Sequence, residues 1–153
     1  INTKISIKKR VLVEKNPTFI KQIKKEKNMN LVNEDIHDFC LNHNNNIYDL
    51  TLLFGVMNSI ERGNAYKIYK LLENMMDKDS ILIIKHQCGI KQEVIIDNYS
   101  SELKSFYTAR YPHHEDELTF LKNIFNVQVY DIYPKVLNKF TNTHFFSYVC
   151  KKK

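Results

Sequence analysis

The sequence predicts an α/β protein built on an open sheet, and three observations carry that prediction. Residues 47–57, IYDLTLLFGVM, form a short apolar run opened by Asp49 and closed by Gly55. Such a run reads as a strand buried on both faces, as in a parallel sheet. A helical pattern follows, with Ala65, Ile68, Tyr69, Leu71, Leu72, Met75 and Met76 at spacings of three and four. A second apolar run, residues 81–84, begins after the polar turn Asp77-Lys78-Asp79-Ser80. Strand, helix, strand is the repeating unit of an open α/β sheet, whose ligands bind beyond the carboxyl ends of the strands. Leu52, Leu53, Leu82 and Ile83 are therefore expected to be buried on adjacent parallel strands. The residues just after Phe54 and Ile84 are the first place to look for a site.

Taken in order, Val11-Leu12-Val13 is a strand candidate ending at Glu14. Asn16 and Pro17 then supply a helix N-cap and first position. Phe19, Ile20 and Ile23 give that helix an apolar stripe. Residues 29–32 make a third strand, followed by Asn33-Glu34-Asp35-Ile36 and a polar loop at 42–46. Beyond Ile84, Lys85-His86-Gln87-Cys88-Gly89 reads as leaving the strand, and residues 93–96 as a short extended segment. Ser100-Ser101-Glu102 reads as a cap and first turn for a helix carrying Leu103, Phe106 and Tyr107. Pro112 interrupts it, and a second helix over 115–125 uses Leu118, Leu121 and Phe125. Residues 127–133 and 144–149 look like strands, joined by a loop long enough for an antiparallel return. The expected order is β-α-β-β-α-β-α-β-β, in a single domain over 1–153.

The bulk numbers exclude several classes. At 153 residues and 18.2 kDa the chain is long enough for a real core, and 43% hydrophobic with 26% charged residues is ordinary for a globular protein. No apolar run approaches the roughly 20 residues of a membrane span, and no leader-like start is present, so a cytoplasmic protein is expected. Cys40, Cys88 and Cys150 are odd in number and far apart, with no CxxC spacing. The adjacent His113 and His114 diverge on a helix, so no metal site is expected. The net charge of +6 is mostly Lys spread over helix faces and the tail Lys151-Lys152-Lys153. It reads as a solvated surface in a chain rich in Asn, Ile and Lys.

RVLVEKNP, with an acid ending a strand, LVNEDIHDF with its acidic step, and YDLTLLFGVMNSI followed by a helix and ILIIKH together resemble a known family. The pattern is similar to the class I, Rossmann-like S-adenosylmethionine-dependent methyltransferases, over nearly the whole chain. The resemblance implies an open, mostly parallel twisted sheet with a C-terminal antiparallel hairpin, and S-adenosylmethionine as cofactor. It makes Glu14 the acid that accepts hydrogen bonds from both ribose hydroxyls; the alternative is a surface acid capping the next helix. Asp35 would meet the adenine amino group and Ile36 the ring, or Asp35 forms an Asx-turn. Phe54 and Gly55 would line the cleft floor, although Gly55 equally serves as a strand stop. The family's first strand and glycine-rich loop have no counterpart, since Gly55, Gly63 and Gly89 all follow Glu14. The expectation is therefore a C-terminal part of a longer protein, with two strands lacking their natural neighbour. Asn58-Ser59 also stands where many small-molecule members carry histidines.

Methyl transfer needs alignment and, for a hydroxyl acceptor, a base. His86 is the leading base candidate because it follows a strand and titrates near neutrality, the alternative being a hydrogen-bonded loop histidine. Lys85 beside it would attract an anionic acceptor. The cluster YTARYPHH, residues 107–114, offers Arg110 for a bidentate anion grip and Tyr107, Tyr111 and His113 to shape a pocket, or else a Pro-broken surface helix. Residues 138–144 suggest no role beyond acceptor contact. The expected acceptor is a small polar or anionic molecule such as a sugar or phosphorylated sugar. The chain lacks the aromatic-basic platform of single-strand binders, so nucleic acid is not favoured. A cap-type RNA methyltransferase and a non-catalytic methyltransferase-like partner subunit are the alternatives.

Overall fold

Parallel strands require a crossover, and each half of the chain contains one. The computed structural model describes residues 6–101, 104–138 and 140–153. Its backbone separates into two compact units, Ile1–Asn44 and Asn45–Lys153. In the first, β1 (Arg10–Val13) and β2 (Met29–Val32) pair in parallel, from Arg10↔Met29 to Val13↔Val32. The connection carries α1 (Pro17–Gln22), which begins as its sequence demands. Asn16 accepts the Thr18 N–H at 2.9 Å, and Pro17 fills the first position. After β2 comes α2 (Ile36–Asn42), where sequence alone shows only a polar step, because seven residues are too few for a clear period.

The second unit contains β3 (Leu50–Phe54), α3 (Arg62–Asn74) and β4 (Ile81–Gly89), in which β3 and β4 pair in parallel. The turn into β4 is fixed by Asp77, whose Oδ1 accepts from Asp79 N–H, Ser80 N–H and Ser80 hydroxyl, each at 2.9 Å. Then follow β5 (Val94–Ser100), β6 (Ser105–Tyr111), α4 (His114–Ile124), β7 (Phe125–Asp131) and β8 (Thr143–Lys152). One sheet has the order β3-β4-β8-β7, with β8 antiparallel to both neighbours. The β7–β8 pair is the expected C-terminal hairpin.

Three expectations are corrected. The sheet is not mostly parallel: among the described residues the parallel strand pairs are β1–β2 and β3–β4, in separate sheets, besides an isolated parallel bridge Gly89↔His113. The helix expected from Ser100 is instead the antiparallel hairpin β5–β6, closing from Val94↔Tyr111 to Ser100↔Ser105; Glu102 and Leu103 lie outside the described residues. Residues 105–111 alternate between a face with Tyr107, Ala109 and Tyr111 and a more exposed one, which is strand periodicity. Finally, Lys85–Gly89 does not leave the strand, because β8 continues to pair it as far as Gly89↔Thr143.

The core lies on one face of the four-stranded sheet. Leu82, Ile84, His86 and Cys88 of β4 are buried there, beside Tyr148 and Cys150 of β8. α3 contributes Ala65, Ile68, Tyr69 and Leu72, and α4 contributes Glu117 and Leu121. Of the four residues expected to be buried, Leu53 and Leu82 are, at 3% and 0% exposure, and Ile83 is half-buried. Leu52, however, is 55% exposed, because it lies on the opposite face of the edge strand β3 with Leu50 and Phe54.

Gly89 holds the end of β4 in close quarters. Its N–H donates to the Pro112 carbonyl at 2.9 Å, and a Cβ there would stand 1.8 Å from the Gln92 carbonyl oxygen. That neighbour is backbone, so the loop itself would have to move. Gly89→Ala is expected to cost about 1–3 kcal/mol of stability, measured by urea unfolding; an unchanged midpoint would remove this constraint.

Candidate active site

Beyond the last parallel pair, Phe54↔Lys85, β4 runs on past the end of β3 while still paired with β8. His86 is the first residue there, so it stands at the carboxyl edge of the parallel pair although it lies inside a strand. The edge is pinned by Asn58, whose amide donates to the carbonyls of Gln87 and Arg110, each at 3.0 Å. This ties the turn after β3 to both β4 and β6. Asn58 thus has a structural task at the position where the resemblance expects a histidine.

A cavity of about 20 Å³ opens here, lined among others by Arg62, Tyr69, His86, Glu93, Arg110 and Glu117. His86 is 2% exposed, and neither ring nitrogen has a hydrogen-bond partner among the described residues. Its Nε2 lies 3.8 Å from Glu117 Oε1, which accepts the Tyr69 hydroxyl at 2.6 Å. Burial, with the His114 ring nearby, pushes His86 down to about 4. Burial also pushes the Glu117 carboxyl up, against the Tyr69 hydrogen bond and the Arg62 charge. With the imidazole neutral near neutral pH, the 3.8 Å approach to Glu117 is not an ion pair. A second polar chain runs alongside: Cys88 Sγ meets the Tyr148 hydroxyl at 3.2 Å, and that hydroxyl meets His114 Nδ1 at 2.9 Å. Burial pushes the Cys88 thiol up to about 12, which leaves it unreactive.

The structure brings His86 and Arg110 together at this cavity but separates the other expected acceptor residues from them. Lys85 alternates to the opposite face of β4, where its ammonium donates to the Tyr133 hydroxyl at 3.1 Å and lies 5.0 Å from the Phe54 ring centroid. Tyr107 and Tyr111 share the face of β6 opposite Arg110, their hydroxyls 3.1 Å apart, and burial pushes Tyr111 up. His113 is the residue before α4 and pairs with Asp116 at 3.5 Å. Arg110 itself is paired with Glu93, Nε to Oε1, at 3.4 Å. Sequence reasoning missed Glu117, Tyr69 and Glu93. Glu117 had a signal, since it precedes Leu121 by four residues on the buried stripe of α4.

In the first unit, Glu14 and Asp35 lie at the carboxyl ends of β1 and β2. Glu14 Oε1 accepts the Asn16 N–H at 2.7 Å, leaving its other oxygen to accept from a ligand. Asp35 caps α2, accepting the His37 N–H at 3.0 Å, with Lys15 Nζ 4.0 Å from its other oxygen. Ile36 is the first residue of α2 and is half-buried. Each carboxylate thus keeps acceptor capacity, which fits a donor-rich nucleoside. In the second unit, Phe54 is 47% exposed. Gly55 has φ +69° with nothing within 4 Å of a built Cβ, so the glycine answers a backbone need and leaves open space. Among the described residues, no three or more His, Cys, Asp or Glu are placed to hold a metal ion. No helix among them is long and apolar enough to cross a membrane.

No protein-family model matches the chain, and no curated protein matches it. Solved structures do. The chain is similar to an S-adenosylmethionine-dependent methyltransferase from Clostridium acetobutylicum, at 14% identity and TM-score 0.63, over 95% of this chain and 75% of that one. It is similar to the N-methyltransferase NodS from Bradyrhizobium japonicum, solved with S-adenosyl-L-homocysteine, at 10% identity and TM-score 0.63, over 95% and 68%. It is also similar to the glycopeptide N-methyltransferase MtfA, solved with S-adenosyl-L-methionine, at 7% identity and TM-score 0.66, over 94% and 77%. The chain has the Rossmann-like fold of class I S-adenosylmethionine-dependent methyltransferases.

Proposed function

We propose that this protein is an S-adenosylmethionine-dependent methyltransferase acting on a small polar or anionic acceptor, such as a sugar or phosphorylated sugar. The observation that carries the reading is the cavity at the carboxyl edge of β3–β4, where a buried histidine stands without a hydrogen-bond partner among the described residues. In an open α/β sheet that edge is where ligands bind, and the fold shared with solved methyltransferases supplies the reaction class. When bound, S-adenosylmethionine supplies a methyl group on a sulfonium, already a good leaving system. Glu14 would accept from the ribose hydroxyls, with Asp35 and Ile36 at the adenine. Phe54 and Gly55 are proposed cofactor contacts in the second unit. His86 and Arg110 are the proposed acceptor contacts, and Arg110 would exchange its Glu93 partner for an anionic group. Lys85, Tyr107, Tyr111 and His113, the other acceptor contacts the sequence suggests, stand outside the lining of that cavity.

The test is cofactor binding. S-adenosylhomocysteine should bind the protein, and Glu14→Ala should weaken that binding by about 1–3 kcal/mol, the usual loss for a charge-assisted hydrogen bond. Isothermal calorimetry measures both. Unchanged affinity would take Glu14 out of the site. No binding to the unmodified protein would favour a non-catalytic partner subunit.

A further inference from the structure

Glu117 is the buried carboxyl of the cavity, 4% exposed and hydrogen-bonded to Tyr69. Opposite it, His86 presents a ring whose two nitrogens find no partner among the described residues. A neutral imidazole has one donor and one acceptor, and burying them unpaired costs free energy that a bound group with matching polarity would recover. The cavity that both residues line, about 20 Å³, holds one water-sized group. It is too small for a sugar ring and large enough for a single hydroxyl or amino group entering tip first.

We propose that this cavity receives the terminal hydroxyl or amino group of the methyl acceptor, with His86 as its hydrogen-bond partner and Glu117 as the group that takes its proton. This rests on the methyltransferase reading. In the step, a bond forms from the acceptor oxygen or nitrogen to the methyl carbon. The sulfur–methyl bond breaks with its electron pair remaining on sulfur, and the acceptor's proton passes to the Glu117 carboxylate. Tyr69 holds that carboxylate in place through its 2.6 Å hydrogen bond.

The groups facing Glu117 are Tyr69 and Arg62 of α3, His86 and Cys88 of β4, and Tyr148 and Cys150 of β8; His114 of its own helix faces His86. Of these, Arg62 alone carries a full charge at neutral pH, and it favours the ionised carboxylate that must accept the proton. Burial works the other way and raises the carboxyl's proton affinity. A carboxylate so placed takes a proton near neutrality more readily than an imidazole held near 4. The proposal gives Glu117 the proton-accepting task that the sequence suggests for His86, and leaves His86 as the acceptor's hydrogen-bond partner.

The test uses the full chain labelled with ¹³C and ¹⁵N, with ethanol and ethylamine as probes that differ only in the terminal group. At least one of them should shift the His86 ring-nitrogen resonances in a saturable way, and which one does so tells hydroxyl from amine. Ala65→Val, which fills the cavity wall without touching its polar groups, should raise the apparent Kd of that probe at least tenfold. In Glu117→Gln, the carboxyl resonance that titrates above the ordinary Glu range should disappear. Should that variant fail to fold, Ala65→Val carries the test by itself. Absence of any shift with either probe, or an unaltered Kd in Ala65→Val, would overturn the proposal. Calorimetry with S-adenosylhomocysteine reports separately on the methyltransferase reading, so the two failures are distinguishable.

Discussion

Leu53→Ala is expected to lower the unfolding free energy by about 2–5 kcal/mol, while Leu52→Ala changes it by less than about 0.5 kcal/mol. The two residues are adjacent on β3, and the sequence treats them alike. The fold does not: Leu53 pairs with Ile84 on the core face and is 3% exposed, whereas Leu52 pairs with Ile83 on the other face at 55% exposure. Truncating Leu53 leaves a cavity on the core face of the sheet that packed neighbours cannot fully close. Truncating Leu52 removes contacts that are already half with water. Urea unfolding of the two variants, analysed with the slope held in view, measures the contrast. Equal losses would mean that both faces of β3 are packed and that Leu52 does not point to solvent.

That contrast marks where the sequence was legible. Elements with a local chemical signature were read correctly: the Asn16-Pro17 start of α1, the Asp77–Ser80 turn, and the apolar period of α3. Elements decided by distant partners were not. The polar stretch Lys85–Gly89 stays extended because β8, some sixty residues away, pairs with it and satisfies it, as in the Gln87–Thr143 hydrogen bond of 2.6 Å. No local pattern carries that information. The β5–β6 hairpin misled for a different reason. Leu103, Phe106 and Tyr107 sit at helical spacing behind a Ser-Ser-Glu cap, so two periodicities compete in one segment and cross-strand pairing decides.

The candidate site divides the same way. His86, chosen for its place after a strand, and Arg110, chosen from the polar-aromatic cluster 107–114, line one cavity. Lys85 was grouped with His86 through sequence adjacency, although neighbours on a strand point to opposite faces. Glu117 was hidden because an acid in the first turns of a helix normally faces water and the favourable end of the dipole. Its neighbours Glu115 and Asp116 do so. Only the four-residue step to Leu121 distinguishes it, and that step gains meaning once Tyr69 and His86 are known to stand opposite.

Acid should destabilise the fold through His86, between about pH 6.5 and 4. In the folded chain burial holds this group near 4, whereas an unfolded histidine titrates near 6.5. Above pH 6.5 both states are neutral there, so the group adds no pH dependence. As the pH falls through the window, the unfolded chain takes up a proton that the folded one refuses, and stability is lost until the folded value is reached. The full loss is about 3 kcal/mol for a shift of this size in a fully buried group. His114, also lowered by burial, adds to the slope with the same sign. Glu117 opposes it: its folded value is raised, so its contribution is fully present at low pH and is lost as pH rises through that value. Replacing His86 with Asn, uncharged at every pH, should therefore flatten the acid limb. Thermal unfolding from about pH 7.5 to 4 should show a smaller fall in Tm for His86→Asn than for the natural chain, and Glu117→Gln should show a steeper one. Parallel curves for all three proteins would mean that His86 and Glu117 do not form a buried pair.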